Sequence, residues 1–460
     1  VVKTLRSALL ALVVLLALVA SACDSGDATP STEGSGPGAS TSTTIPSTTT
    51  TQAPVTSLPS ESVPGTNSPT IPDDVADAMR AQLGSILLDV EESRALPFLE
   101  VPTVTILDEA DFTQRVNDTI SEDLDEEELA YQEAMFKLLG MLDDDVDLGQ
   151  LLIDLYTEQV AGFYDPEARE MVVPVAVDGI TPLQEIVIAH ELVHALTDQH
   201  FDFNAGYEDQ LENGTGDDAA GTLALVEGDA SYQQFLYLES MDPVKAARAA
   251  LEAVTIDTSV LDSSPRWLQQ DLAFPYEQGL IFTGYLIETG GLKQVDEAYQ
   301  EPPVSSEQIL DPTKYVRGEG PEPIDPLAVT LDGWELSDEA TLGEWGVRLL
   351  LTDTLRPGEL AQVASGWGND TYRLFTRGDD TTFVWSYLAE SVEDAEELTN
   401  ALITHARDAM GATGGIEDAG GLLFSGSAPV VFIDRIDESI YFIVSTDAAA
   451  VAQARTQLGI

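Results

Sequence analysis

The chain has 460 residues, with 81 Asp and Glu against 20 Lys and Arg, and a formal net charge of -61. Phosphate recognition needs a basic footprint, and no stretch of this chain supplies one, so nucleic acid is excluded as a partner. Hydrophobic residues make up 43% and charged residues 22%, which is enough apolar surface to bury a core over most of the length.

The first segment carries Lys3 and Arg6, an apolar run from Ala8 to Ala20, and then Ser21, Ala22 and Cys23. Two basic residues, a short apolar run and small residues before a cut site are the parts of a secretory signal, here residues 1–22. The run is short of the ~20 apolar residues that a spanning helix needs. Ala20, Ser21, Ala22 and Cys23, the sole cysteine, resemble the lipobox of bacterial lipoproteins, with Ala20 in place of the usual leucine. That resemblance implies cleavage before Cys23, a diacylglycerol on its sulfur, and a mature protein held by lipid to the outer face of the cell membrane. Residues 23–72 are rich in Ser, Thr, Pro and Gly, offer little apolar area against chain entropy, and are expected to form an extended, disordered tether.

A globular composition begins at Asp73. Val75, Met79, Leu83 and Leu87, four apart, predict a helix over Asp73 to Val90. Val101, Val104 and Ile106 predict a strand, Glu122 to Leu142 an acidic helix, and Leu151 to Val160 another, broken at Gly162 to Pro166. Met171 to Val177 is valine-rich and reads as a strand, with Pro174 pointing to a sheet edge. A long apolar helix follows from Leu183 to His200.

That helix holds His190, Glu191, Leu192, Val193 and His194, the pattern H-E-x-x-H. At ~100° per residue, two histidines four apart project from one face and can share a metal ion. Glu191 is then placed to take a proton from a water that the metal activates. The chain has only four histidines, so a core helix with two incidental histidines is the weaker reading.

Catalytic zinc takes three protein ligands and leaves one position open. His200 is ten residues after His190, but the turn that would bring it back needs a glycine where Thr197 stands. Glu227 is the better third ligand, because it interrupts the apolar run Leu223, Ala224, Leu225, Val226. Asp198 and Asp229 are candidates to orient a ligand histidine through its second nitrogen.

H-E-x-x-H followed by E-G-x-A on a later helix resembles the gluzincin branch of the zincin metallopeptidases, over roughly Gly162 to Tyr315. The resemblance implies an α+β fold with a zincin-like catalytic domain, a mixed sheet lobe plus active-site helices. It also implies Zn2+ held by His190, His194 and Glu227, and hydrolysis of a polypeptide. Phe274 to Gly279 is similar to the P-Y-E-x-G segment of aminopeptidase N and leukotriene hydrolase relatives, which puts Tyr276 in the role of donor to the tetrahedral oxyanion. The G-x-M-E-N strand with which those aminopeptidases hold a free amino terminus has no counterpart here. Endopeptidase action is therefore expected, with the strand at Met171 to Val177 pairing an extended substrate.

Beyond Pro302, Ser305 is expected to cap a short helix. From about Gly333 the pattern reads as a separate α+β module: helices at Leu342 to Leu351 and Val392 to Arg407, a strand at Thr382 to Leu388, and a hairpin from Val430 to Val444. An Asp447-capped helix follows, and Trp367 and His405 are expected in core or loop. The expected domains are 73–325, the metallopeptidase, and 326–460, the module. The rival expectation is a surface lipoprotein that uses the same fold to bind a protein or cell-wall partner without turnover. Removing Lys3 and Arg6 with the leader leaves 18 basic residues against 81 acidic, a net charge of -63. A field of that sign favours neutral or basic polypeptides over acidic ones.

Overall fold

The computed structural model describes residues 73–460 apart from 167, 175–178, 419 and 427–428. The expected leader, Cys23 and tether, and the end of the strand expected at Met171 to Val177, lie outside the described residues.

The fold is mixed α+β. Helix α1 (Asp73–Arg94) buries Met79, Leu83, Ile86, Leu87 and Val90 along one stripe. Strand β1 (Thr103–Leu107) is followed by α2 (Glu109–Asp123), α3 (Glu126–Leu138) and α4 (Leu148–Gln159). Each of these helices starts on an aspartate, Asp108, Asp125 or Asp147, whose side chain accepts from first-turn N–H groups, so the acidic composition serves as helix capping. The single helix expected over Glu122 to Leu142 is thus shorter, and α2 precedes it with Phe112, Val116 and Ile120 buried at every fourth position.

Strands β2 (Phe163–Asp165) and β3 (Glu170–Pro174) complete a three-stranded sheet of order β1-β3-β2, parallel between β1 and β3 and antiparallel between β2 and β3. This corrects the expectation of an edge strand at Met171: β3 is central. Pro174 is its last residue, where a missing N–H costs no interior rung of the ladder. The edges are β1 and β2, the latter in the segment read from sequence as a helix breaker.

Helix α5 (Pro182–Phe201) opens with a capping box between Thr181 and Gln184. Nearly every residue from Pro182 to Asp198 is buried, because α5 has protein on all sides. Ile188, Leu192, Val193 and Leu196 pack under Val104, Ile106, Met171 and Val173 of the sheet and against α1. Helices α6 (Phe203–Asn213), α7 (Asp217–Ser240), α8 (Pro243–Ala253), α9 (Ser259–Ser263), α10 (Arg266–Gly290) and α11 (Leu292–Gln300) enclose the other side. Ser305 caps α12 (Ser306–Leu310) as expected, and α13 (Pro312–Arg317) follows.

The C-terminal region is a seven-stranded sheet of order β4-β5-β6-β10-β9-β8-β7. Its strands are β4 (Glu335–Ala340), β5 (Trp367–Arg377), β6 (Asp380–Ala389), β7 (Gly415–Asp418), β8 (Gly421–Phe424), β9 (Val430–Ile436) and β10 (Ser439–Ser445). Helices α14 (Gly343–Leu351), α15 (Pro357–Ala364) and α16 (Val392–Asp408) pack on one face, and the Asp447-capped α17 (Ala448–Leu458) on the other. The strands sort their side chains by the period of two: Phe383, Trp385 and Phe442 enter the first core, whereas Val384 and Ile443 enter the second with Leu327, Val329 and Leu331. His405 is a satisfied core histidine, 2.7 Å from Thr354 Oγ1 and 2.8 Å from the Leu139 carbonyl. Trp367 is buried and donates to Asp370. The first core runs without interruption from Phe112 and Tyr276 to Val444, so one apolar cluster crosses the boundary expected at 325/326.

Candidate metal centre

His190 and His194 lie one turn apart on α5, and their Nε2 atoms are 3.0 Å apart with the rings nearly edge-on. Glu227, from the middle of α7, brings Oε2 to 3.0 Å from His190 Nε2 and 3.4 Å from His194 Nε2. All three side chains are buried, and their ligand atoms fall within 4.8 Å of one another.

The place where Glu227 meets the histidines is set by two glycines. A Cβ added to Gly228 would stand 2.1 Å from the Gly279 carbonyl oxygen, and one added to Gly279 would stand 2.0 Å from the Ala224 carbonyl oxygen. Helices α7 and α10 therefore touch backbone to backbone, beside Glu227 on one and Tyr276 on the other. Tyr276 lies in the interior of α10 directly after Pro275. Its ring centroid is 6.1 Å from that of His190, and its buried hydroxyl lies beside the Glu227 carboxylate. Burial, then the nearby charges of Glu227 and Glu191, hold that hydroxyl firmly protonated, the form that can donate.

Glu191, between the two histidines in sequence, is not one of the converging donors. Its Oε2 accepts the backbone N–H of Tyr164 at 2.9 Å, which ties the acid to edge strand β2. Burial, reinforced by Glu227 and opposed by His194 and the Tyr164 N–H, pushes Glu191 up to about 8. Burial lowers His190 despite its contact with Glu227. For His194 burial is outweighed by the surrounding carboxylates, Glu227 foremost, and its affinity for a proton rises. Glu227 is lowered, because the two imidazoles outweigh its burial.

Of the residues considered from sequence, His200 stands apart: its Nε2 lies 2.7 Å from the Pro97 carbonyl. Asp198 accepts from the Tyr164 hydroxyl at 2.9 Å. Asp229 is paired with Arg94, fully buried, through Nε at 2.9 Å, while a second nitrogen of the same guanidinium lies 2.7 Å from Asp296. Tyr164 and Arg94 were not singled out by sequence. Tyr164 holds Glu191 through a backbone N–H that any residue but proline provides, so no side-chain signal exists. Arg94 is a lone arginine ending an otherwise apolar helix face, which is a faint one.

The residues fit a divalent ion of the zinc type. Two imidazole nitrogens and one carboxylate oxygen converge, the donor set such an ion accepts. Glu227 Oε1 and the Nδ1 atoms of His190 and His194 are buried without partners, so the cluster is not closed as a hydrogen-bonded network of its own.

A family model described as a domain of unknown function (DUF8575) matches residues 331–453. No curated protein and no solved structure matches the chain.

Proposed function

We propose that the chain is a zinc-dependent metallopeptidase acting on polypeptides as an endopeptidase. The reading is carried by the buried convergence of His190, His194 and Glu227 beside an acid that is not part of the donor set, Glu191. His190, His194 and Glu227 would hold the ion. When bound it supplies Lewis-acid polarisation of a carbonyl and activation of water. Glu191 takes the proton and returns it to the leaving amine, and its bond to Tyr164 fixes the carboxylate while it does so. Tyr276 donates its hydroxyl to the developing oxyanion. The edge of β2 not paired to β3, whose Tyr164 N–H is held by Glu191, offers its carbonyl side to an extended substrate, in the role expected of the strand at Met171.

The leader and lipobox support an exported protein held to the outer face of the membrane through a lipid on Cys23. Among the described residues no helix is long and apolar enough to cross a membrane.

The test is metal analysis of the purified protein combined with digestion of casein, with and without chelator. One zinc per chain and chelator-sensitive cleavage are expected. Glu227→Ala is expected to lose zinc and His200→Ala to keep it; the reverse pattern would overturn the ligand set. A zinc-bearing protein inert on all peptides would favour the non-catalytic binder instead.

A further inference from the structure

We propose that the cavity beside Tyr276 receives the substrate side chain next to the scissile bond, that it selects aliphatic side chains of leucine or methionine size, and that the C-terminal module builds one of its walls. This deepens the peptidase reading and rests on it.

The cavity has a volume of about 90 Å³. One side is made by Leu223, one turn before Glu227 on α7, by Leu272 and Tyr276 of α10, and by Tyr156 and Tyr207. The opposite side comes from Ala340, Leu342, Trp345 and Tyr372, all within the segment matched by the family of unknown function. Of the residues placed at the candidate centre, Tyr276 alone lines the cavity, and the module bounds its other side. Its connection to the chemistry is Tyr276, which lines the cavity and places its ring 6.1 Å from that of His190 and its hydroxyl beside Glu227.

The lining is mainly apolar, which selects an apolar occupant. Two acids stand in the wall: Asp271 accepts the indole N–H of Trp345 at 3.0 Å and Asp217 accepts the Ser306 N–H at 3.1 Å, so one oxygen of each is engaged. Size narrows the choice. An apolar cavity of roughly 150 Å³ takes a benzene ring, and this one is smaller, so it suits a leucine or methionine side chain and leaves no room for an indole.

The test uses the zinc-loaded full chain on a peptide library, with cut sites read by mass spectrometry. Cuts are expected beside Leu and Met, with kcat/KM roughly 10- to 200-fold above matched peptides carrying Ala. Leu342→Ala, which enlarges the wall from the module side, is expected to move preference toward Phe and Trp at unchanged zinc content. A profile indifferent to the flanking residue, one led by Lys or Arg, or one unchanged in Leu342→Ala overturns the proposal. A second measurement does not depend on hydrolysis: metal-free protein is titrated with N-acetyl-leucinamide and N-acetyl-alaninamide, following tryptophan fluorescence, with Trp345→Phe to assign the signal. Selective binding of the leucinamide supports the cavity even if no peptide is cut, in which case only the peptidase reading fails. Equal binding, or none, overturns the cavity assignment.

Discussion

Gly228 and Gly279 meet where α7 crosses α10, and neither position has space for a methyl group: a Cβ on Gly228 would stand 2.1 Å from the Gly279 carbonyl oxygen. Each glycine closes a short motif, Glu227-Gly228 and Tyr276-Glu277-Gln278-Gly279, so one crossing places Glu227 and Tyr276 together. Gly228→Ala or Gly279→Ala forces the helices apart, and overpacking of this kind costs about 1–3 kcal/mol. Thermal melts are expected to show that loss, together with weaker zinc retention against a chelator. An unchanged melting temperature in both variants would mean that the crossing tolerates a side chain.

Arg94 is the charge that lets Asp229 stay buried two residues from Glu227. Arg94→Leu strands that carboxylate, and removing one partner of a buried pair costs about 3–5 kcal/mol. Urea denaturation is expected to show a loss of that order, partly recovered in Arg94→Leu/Asp229→Asn. A double variant no more stable than the single one would show that the charge is not what the arginine neutralises.

Tyr276→Phe removes one hydrogen bond donor and leaves the ring. Loss of one oxyanion donor lowers kcat by about 100- to 1,000-fold, with KM and zinc content little changed. A kcat within a few-fold of the parent would assign Tyr276 to packing alone.

Glu307 links α12 to the C-terminal module through Lys314, 2.6 Å away, which also reaches Glu390 at 2.7 Å. Burial raises Glu307 from 4.5 to about 7, against the pull of Lys314. A carboxyl raised on folding keeps its proton in the native state where the unfolded chain has already lost it. Its contribution is therefore complete below about pH 4.5 and is lost as pH rises toward 7. Denaturation midpoints of Glu307→Gln, compared with the parent, are expected to fall less steeply across that window. Parallel curves would remove Glu307 as the source.

The elements legible in the sequence were those with a local cause. The apolar period of α5, the caps Ser305 and Asp447, and the alternation in β6 and β10 are written in neighbouring residues, and the structure has them. His190, Glu191, His194 and Glu227 were legible because their chemistry restricts residue type and spacing. What was misread depends on contacts distant in sequence. Pro174 suggested an edge, yet it terminates the central strand, and only pairing with Leu107 decides that. Gly162 to Pro166 looked like a break between helices, and its role in holding Glu191 is a backbone matter. The shared core between the two expected domains was invisible for the same reason: apolar residues announce burial, not the surface that will cover them.

The central claim is that Glu191 is a general base beside a metal site that it does not help to build. Glu191→Gln keeps the shape and the capacity to accept the Tyr164 N–H, but it takes no proton. Zinc content and hydrolysis of a protein substrate, measured on the same preparation of this variant, test that claim most directly. One zinc per chain with hydrolysis abolished is the predicted result; unchanged hydrolysis with zinc bound would contradict it.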